Sequence, residues 1–187
     1  MTEESVLVEK LREPASREAA FRELVTLYQE RLYWHIRRIV LTHDDSDDVL
    51  QETFIKVFRN IDSFKGDSKL FSWMYRIATN EALSFLKRNS KIQGMDNGEV
   101  HEQLIEGLTA DPYFDGDQAE LELQRALAAL PEKQRLVFNM KYFEELKYDE
   151  ISEILDTSVG ALKASYHLAV KKIRKFLKGP DPEIPGA

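Results

Sequence analysis

Cysteine is absent from this sequence of 187 residues, and so are long hydrophobic runs. Without cysteine the chain can form no disulfide, thiol nucleophile or zinc-thiolate site. No stretch approaches the roughly 20 apolar residues that span a bilayer. The opening residues MTEESVLVEK lack the basic and then apolar layout of a signal peptide. We therefore expect a cytoplasmic protein that does not insert into a membrane.

Positive charge is also in short supply, because 26 Lys and Arg face 33 Asp and Glu, for a net charge of -7. That balance argues against autonomous binding to nucleic acid, whose usual binding domain is basic. The deficit is local, however. Residues 91–120 hold 1 basic and 8 acidic side chains, whereas residues 1–90 hold 14 and 15, and residues 121–187 hold 11 and 10.

This distribution predicts two domains and a linker. We expect an N-terminal helical domain over 1–90, an acidic flexible linker over 91–120, a second helical domain over 121–178 and a flexible tail over 179–187. Nothing alternates convincingly at the period of a strand, whereas apolar residues recur at threes and fours. The expected fold class is therefore all-α.

The N-terminal half contains an acidic helix. An earlier helix is predicted to start after a Ser16 cap, and the second begins in the acidic cluster 44–48. The helix dipole explains acids only in the first turn, but Asp48, Gln51 and Glu52 continue along the polar face. A face of this kind favours a basic protein partner.

The helix after the turn 63–68 carries two stripes. Its core stripe comprises Phe71, Met74, Tyr75, Ala78, Ala82 and Leu86. A second stripe comprises Trp73, Arg76, Asn80, Ser84 and Lys87, with Arg88 and Lys91 beyond it. An aromatic ring, a guanidinium, an amide and an ammonium can stack on bases, pair with phosphate and read base edges. The alternative is a buried tryptophan and a basic helix end that balances the dipole.

The C-terminal half has the layout of a helix-turn-helix. A helix starting at Pro131 is followed by a short amphipathic helix, the turn 156–158 and a helix that Ser158 caps and that runs to about Lys178. We expect its buried stripe to comprise Leu162, Tyr166, Ala169, Ile173 and Phe176 or Leu177. Its outward stripe comprises Lys163, His167, Lys171, Arg174 and Lys178. The alternative is a solvated basic helix in a bundle.

The sequences on the two sides of the acidic linker resemble one family. DDSDDVLQETFIKVFRNI and FKGDSKLFSWMYRIATNEALSFLKR precede the acidic linker, and LPEKQRLVFNMKYFEELKYDEISEILDTSVGALKASYHLAVKKIRKF follows it. In this order they resemble the extracytoplasmic-function (ECF) sigma factors of bacteria. The resemblance covers residues 16–178 apart from the linker.

The resemblance implies two helical domains that bind core RNA polymerase and direct it to promoter DNA, held both as duplex and as melted single strand. The implied polymerase-binding residues are Asp47, Asp48, Gln51 and Glu52. Those implied for the minus-ten element are Lys65, Ser68, Trp73, Arg76, Asn80, Lys87 and Arg88. Those implied for the minus-thirty-five element are Ser158, Gly160, Ala161, Lys163, Ala164, His167, Lys171 and Arg174.

The resemblance also implies a protein that is not an enzyme, with no catalytic residue, metal or cofactor. The linker would thread through the polymerase near the RNA exit path. An anti-sigma protein, common in the family, is a further expected partner.

Some positions depart from the family pattern. Ser165, Leu168 and Val170 stand where the family often has arginines, and Ala161 stands where threonine is common. We therefore expect base readout to depend on backbone approach, groove shape and Lys163. Asp156 replaces a frequent turn glycine, and aspartate tolerates the left-handed conformation.

Two other functions fit parts of the sequence. A stand-alone helix-turn-helix regulator, dimerised by its N-terminal half, would bind a two-fold symmetric operator without polymerase. A helical metal-dependent phosphohydrolase could use the pair His43-Asp44, but the chain has 4 histidines in all and such a site needs a full ligand set.

Overall fold

The computed structural model describes residues 3–94, 96–112 and 115–179, so the predicted tail lies outside the described residues except for Gly179. All regular secondary structure within these ranges is helical, which confirms the all-α fold class. The helices are α1 Glu3–Arg12, α2 Arg17–Val40, α3 His43–Asn60, α4 Leu70–Gln93, α5 Asn97–Ala110, α6 Gln118–Ala128, α7 Glu132–Phe138, α8 Tyr148–Leu155 and α9 Val159–Lys178.

Helices α1 to α4 pack around one apolar core. The predicted stripe of α4 is buried in full, from Phe71 to Leu86. Helix α2 begins at the predicted position, but the Ser16 hydroxyl donates to the carbonyl of Lys10, 2.8 Å away, and makes no capping bond. The Glu4 carboxylate of α1 accepts from the backbone N–H of Leu70, the first residue of α4, at 2.9 Å. Helix α1 therefore caps the start of α4.

Helix α5 lies inside the segment predicted as a flexible linker and was not predicted. It begins with a capping box, in which the Asp96 carboxylate accepts from the N–H groups of Gly98 and Glu99 at 2.8 and 2.9 Å. The Glu99 carboxylate accepts in return from the N–H of Asp96 at 3.0 Å. Ile105 and Leu108 are buried, and α5 contacts both α4 and α6. The linker is therefore partly helical and packed.

The C-terminal helices match the predicted helix-turn-helix. Helix α7 continues into a π-helical turn over Asn139–Phe143, and α8 and α9 pack behind it. The buried stripe of α9 includes Leu162, Ala169 and Ile173 but ends there. Phe176 and Leu177 are 48% and 46% exposed, so extending the stripe to either was wrong. The helix runs past the neighbours that could cover its last turn.

The two halves share one core and are joined by buried polar contacts. The His35 ring in α2 lies 2.8 Å from a Glu144 carboxylate oxygen, just after the π-helical turn, and 2.8 Å from the Thr79 hydroxyl. The Arg37 guanidinium donates to the Asp111 carboxylate, beyond α5, at 2.9 Å. Because these polar groups are buried, each depends on its partner for stability. These contacts hold the described N-terminal half, within 3–90, against the described C-terminal half, within 121–179. We call this packing of the two halves the closed arrangement.

Candidate nucleic-acid interface

The acidic face of α3 lies opposite its buried face. Val49, Phe54 and Val57 point into the core, whereas Asp48 and Glu52 are exposed on the other side. Thr42 donates to the Asp45 carboxylate at 2.6 Å in the first turn. Asp47 lies 3.4 Å from the His43 ring. Neither Asp48 nor Glu52 forms an ion pair or side-chain hydrogen bond with any described residue, so both charges remain available to a partner.

An apolar residue that the sequence reasoning missed completes this face. Ile55 is 41% exposed and lies three residues after Glu52 and four after Gln51, one helical turn further along. Exposed single apolar residues are common in proteins, so the exposure alone means little. Its place beside unpaired carboxylates is what makes Ile55 part of the candidate surface. The signal in the sequence was a lone isoleucine on an otherwise polar helical face.

The turn before α4 brings an aromatic pair together. Gly66 has φ +80°, a conformation that favours glycine, and it lets the chain reverse between the exposed Lys65 and the half-buried Ser68. The Trp73 ring lies 5.3 Å from the Phe64 ring, centroid to centroid, and is half-buried against the core. Part of the Trp73 ring therefore packs against the core and part faces outward.

The remaining α4 residues of the predicted face are all exposed, and they differ in whether the side chain has a hydrogen-bond partner among the described residues. Asn80, Lys87 and Arg88 are exposed. Arg76, in contrast, donates from Nε to the backbone carbonyl of Glu153 in α8 at 3.1 Å, and a second guanidinium nitrogen donates to the same oxygen. The first helix of the helix-turn-helix therefore engages two of the three guanidinium nitrogens of one predicted DNA-binding side chain.

The turn between α8 and α9 has the predicted geometry. Asp156 adopts the left-handed conformation with φ 49°, as expected for this substitute for glycine. The Ser158 hydroxyl caps α9 by accepting from the N–H of Ala161 at 3.3 Å. Ser152 donates to the Thr157 carbonyl at 2.6 Å and closes the turn from the other side. The start of α9 is therefore held firmly against α8.

The outward face of α9 is exposed and basic. No acid lies between Thr157 and Lys178. The exposed predicted residues are Ser158, Gly160, Ala161, Lys163, Ala164, His167, Lys171 and Arg174. The last three line a shallow groove together with Lys175 and Lys178.

A second lysine that the sequence reasoning missed lies beside this face. The Lys163 ammonium is 5.7 Å from the centre of the Tyr148 ring, and the Lys141 ammonium is 4.8 Å from it. Burial raises the pKa of the Tyr148 hydroxyl, so the ring remains neutral at physiological pH. Lys141 lies in a π-helical turn, where no helical spacing relates it to α9.

The described residues offer little to the metal-site alternative. They contain no group of three or more His, Asp or Glu side chains able to hold a metal ion. The His43 ring lies 2.8 Å from the Tyr33 hydroxyl and 3.4 Å from Asp47. None of the helices in the described ranges is both long enough and apolar enough to cross a bilayer.

Comparison with known proteins places both halves in one family. The model of Sigma-70 region 2 matches residues 24–92, and that of Sigma-70 region 4 matches residues 120–173. The ECF RNA polymerase sigma-E factor of Haemophilus influenzae is 30% identical over 183 residues, which cover 94% of this chain and 95% of the relative. The chain belongs to the ECF RNA polymerase sigma factors. SigW of Bacillus subtilis is 29% identical to this sigma factor over 85% of the chain and 89% of the relative.

Two solved structures share the fold of this sigma factor. CnrH in complex with the cytosolic domain of CnrY gives a TM-score of 0.67 at 20% identity, covering 94% of this chain and 97% of that one. RpoE in complex with the anti-sigma factor NepR, from Bartonella quintana, gives 0.64 at 20% identity, covering 84% and 96%. This sigma factor acts in transcription initiation, with core RNA polymerase and promoter DNA as partners. Sigma factors are initiation factors of a non-enzymatic kind.

Proposed function

We propose that three surfaces of this sigma factor divide the work of initiation, and that the α3 face docks on the polymerase. The observation that carries the docking role is the exposed, unpaired acidic pair Asp48 and Glu52, flanked by Asp47 and Gln51. Complementary charge accelerates association and sets orientation, while an exposed apolar residue such as Ile55 contributes affinity. A basic protein surface fits this face.

The turn after α3 and the outer face of α4 serve the melted minus-ten strand. Lys65 and Ser68 border the turn, and Trp73 offers the accessible part of its ring for stacking. Flipping a base out of a duplex costs a few kcal/mol of unstacking, which a pocket and a stacking surface must offset. Arg76, Asn80, Lys87 and Arg88 hold the strand along α4.

Helix α9 reads the minus-thirty-five element in duplex DNA. Gly160, Ala161 and Ala164 keep its N-terminal end thin enough to approach base edges in the major groove. The Lys163 ammonium lies over the Tyr148 ring and supplies a positioned cation, and Ser158 caps the helix at the same end. His167, Lys171 and Arg174 follow the phosphate backbone.

The closed arrangement has to open for this work. Arg76 donates from Nε and from one terminal nitrogen to the Glu153 carbonyl, so these two nitrogens can contact DNA only after that contact is released. We propose that docking on the polymerase separates the halves over 1–90 and 121–178, with 91–120 as the connection. An anti-sigma protein is a further partner, as it is of the RpoE structure similar in fold. The protein works in the cytoplasm and has no catalytic activity of its own.

Reconstitution with core polymerase tests the docking proposal. Reversing two charges with Asp48→Lys and Glu52→Lys should abolish co-elution with core polymerase, because basic partner groups would then be repelled. Promoter-dependent transcripts should disappear together with co-elution. Both residues are exposed, so the circular dichroism spectrum and melting temperature should be retained.

The matched control is Glu23→Lys, which reverses an exposed charge on α2. That variant should co-elute and transcribe like the original protein. Undiminished co-elution of the doubly reversed protein would exclude α3 as the docking face. Absence of transcripts from the original protein across a promoter library would refute the initiation roles as a whole.

A further inference from the structure

A buried arginine in α7 has no partner in the described part of the chain. Arg135 is 7% exposed, and its side chain forms no ion pair or hydrogen bond with any described residue. Burial lowers its pKa to about 10, against the opposing effect of the nearby Glu132 carboxylate, so the charge is retained at neutral pH. The Arg135 nitrogens are not among the fully buried side-chain atoms without a partner, so the guanidinium still reaches the solvent of the cavity that it lines. An oxyanion that binds there replaces water on a largely desolvated cation.

Arg135 borders a cavity of about 390 Å³ between the two halves of the molecule. Leu83, Leu86 and Lys87 of α4 form one wall, and the end of α6 and the start of α7 form the other. Lys87 is exposed and, like Arg135, has no ion-pair partner among the described residues. The lining thus holds two unpaired cations, one from each half, against the single carboxylate of Glu132.

We propose that this cavity binds a phosphate-type oxyanion between Lys87 and Arg135. A guanidinium can bind two oxygens of a phosphate at once, and the lysine adds a compact positive charge opposite. The volume is at the lower end for ligand pockets and suits inorganic phosphate or a small phosphorylated compound. Because the two cations come from opposite halves, the bound anion stabilises the closed arrangement and withdraws Lys87 from the DNA-binding face.

Phosphate-dependent stability of the whole chain tests the site. The melting temperature should rise by about 5 °C when inorganic phosphate is added at about one hundred times its dissociation constant, relative to chloride of equal ionic strength. Isothermal titration with phosphate should show one site. Lys87→Gln should weaken phosphate binding at least tenfold. The control Lys91→Gln removes an exposed lysine of α4 that does not line the cavity and should bind phosphate like the original protein.

The variant Arg135→Met adds a second test, in which the melting temperature without phosphate should stay the same or rise. In chloride buffer this variant should melt at an equal or higher temperature than the original protein, because a largely desolvated charge is gone, and phosphate should no longer raise the midpoint. Retention of the phosphate shift in either Arg135→Met or Lys87→Gln would overturn the proposal. If Arg135→Met does not fold, Lys87→Gln still decides, since Lys87 lies at the surface.

A binding experiment with DNA distinguishes the two sources of phosphate, which are the free anion and the DNA backbone. A single-stranded oligonucleotide should bind the free protein no more tightly than inorganic phosphate does at this site. Binding of the oligonucleotide with dependence on Arg135, together with no binding of inorganic phosphate, would contradict a free-anion site and assign Arg135 to the DNA backbone instead.

Discussion

Individual side chains on α4 and α9 are expected to act at different stages of initiation. Asn80 and Lys163 are both exposed and each lies on a different proposed DNA-binding face. Lys163→Ala should weaken binding to upstream duplex DNA by about tenfold, because a major-groove contact is worth roughly 1–3 kcal/mol. Filter binding of the reconstituted polymerase to a closed promoter fragment measures this loss.

Asn80→Ala should leave that duplex binding unchanged and slow promoter opening, because in the proposed role its amide contacts only the separated strand. Permanganate footprinting over time measures the opening rate. Each variant is the control for the other, since both remove one exposed side chain from a helix. Identical opening rates in Asn80→Ala and the original protein would exclude strand capture by α4.

The residues of the site were predictable where they follow helical spacing and unpredictable where a distant partner decides. Exposure of Lys163 and Asn80 follows from periodicity alone. The contact of Arg76 with Glu153 does not, because the acceptor lies 77 residues further along the chain. Arg135 fits the same rule: the sequence shows a cation on a helix, and only the folded structure shows that it is largely buried beside a cavity lined by α4, α6 and α7.

Helix α5 shows how a short element can be missed in an acidic segment. Its apolar residues are too few for a clear stripe, but its first turn carries the capping box of Asp96 and Glu99. Helices α2 to α4 and α7 to α9 were predictable because apolar residues repeat along them, and the turn before α9 because Asp156 and Ser158 suit the left-handed and capping positions. Helices α1 and α6, like α5, were not predicted. The acidic composition of residues 91–120 predicts a linker, and the capping box marks the helix inside it.

The cap of α5 gives a prediction at the scale of one element. Asp96→Ala should destabilise α5 by about 1 kcal/mol, because two backbone N–H groups lose their acceptor. Amide hydrogen exchange across α5 should then be about fivefold faster, with α2 and α3 unchanged. Asp96→Asn is the control, because asparagine caps equally well. Equal exchange in the alanine and asparagine variants would show that the cap contributes nothing to α5.

At the scale of the whole molecule, the net charge of -7 no longer weighs against DNA binding. The excess of acids lies in residues 91–120, while α9 keeps an unbroken basic face. The basic groups of the ion pairs that join the halves come from α2 and from the start of α4, as in Arg37 with Asp111 and Lys69 with Glu150. These ion pairs act together with the shared apolar core, and the proposed docking on the polymerase has to displace both.

Locking this closed arrangement should silence the protein. Lys69 and Glu150 lie 3.2 Å apart at their charged atoms and the chain has no native cysteine, so Lys69→Cys with Glu150→Cys can be cross-linked by a bismaleimide with a reducible spacer. The cross-linked protein should give no promoter-dependent transcripts with core polymerase, because Arg76 stays on Glu153, and reduction should restore them. Glu18→Cys with Arg22→Cys, cross-linked within α2, is the matched control and should remain active. Full transcription from the locked form would show that the halves need not separate.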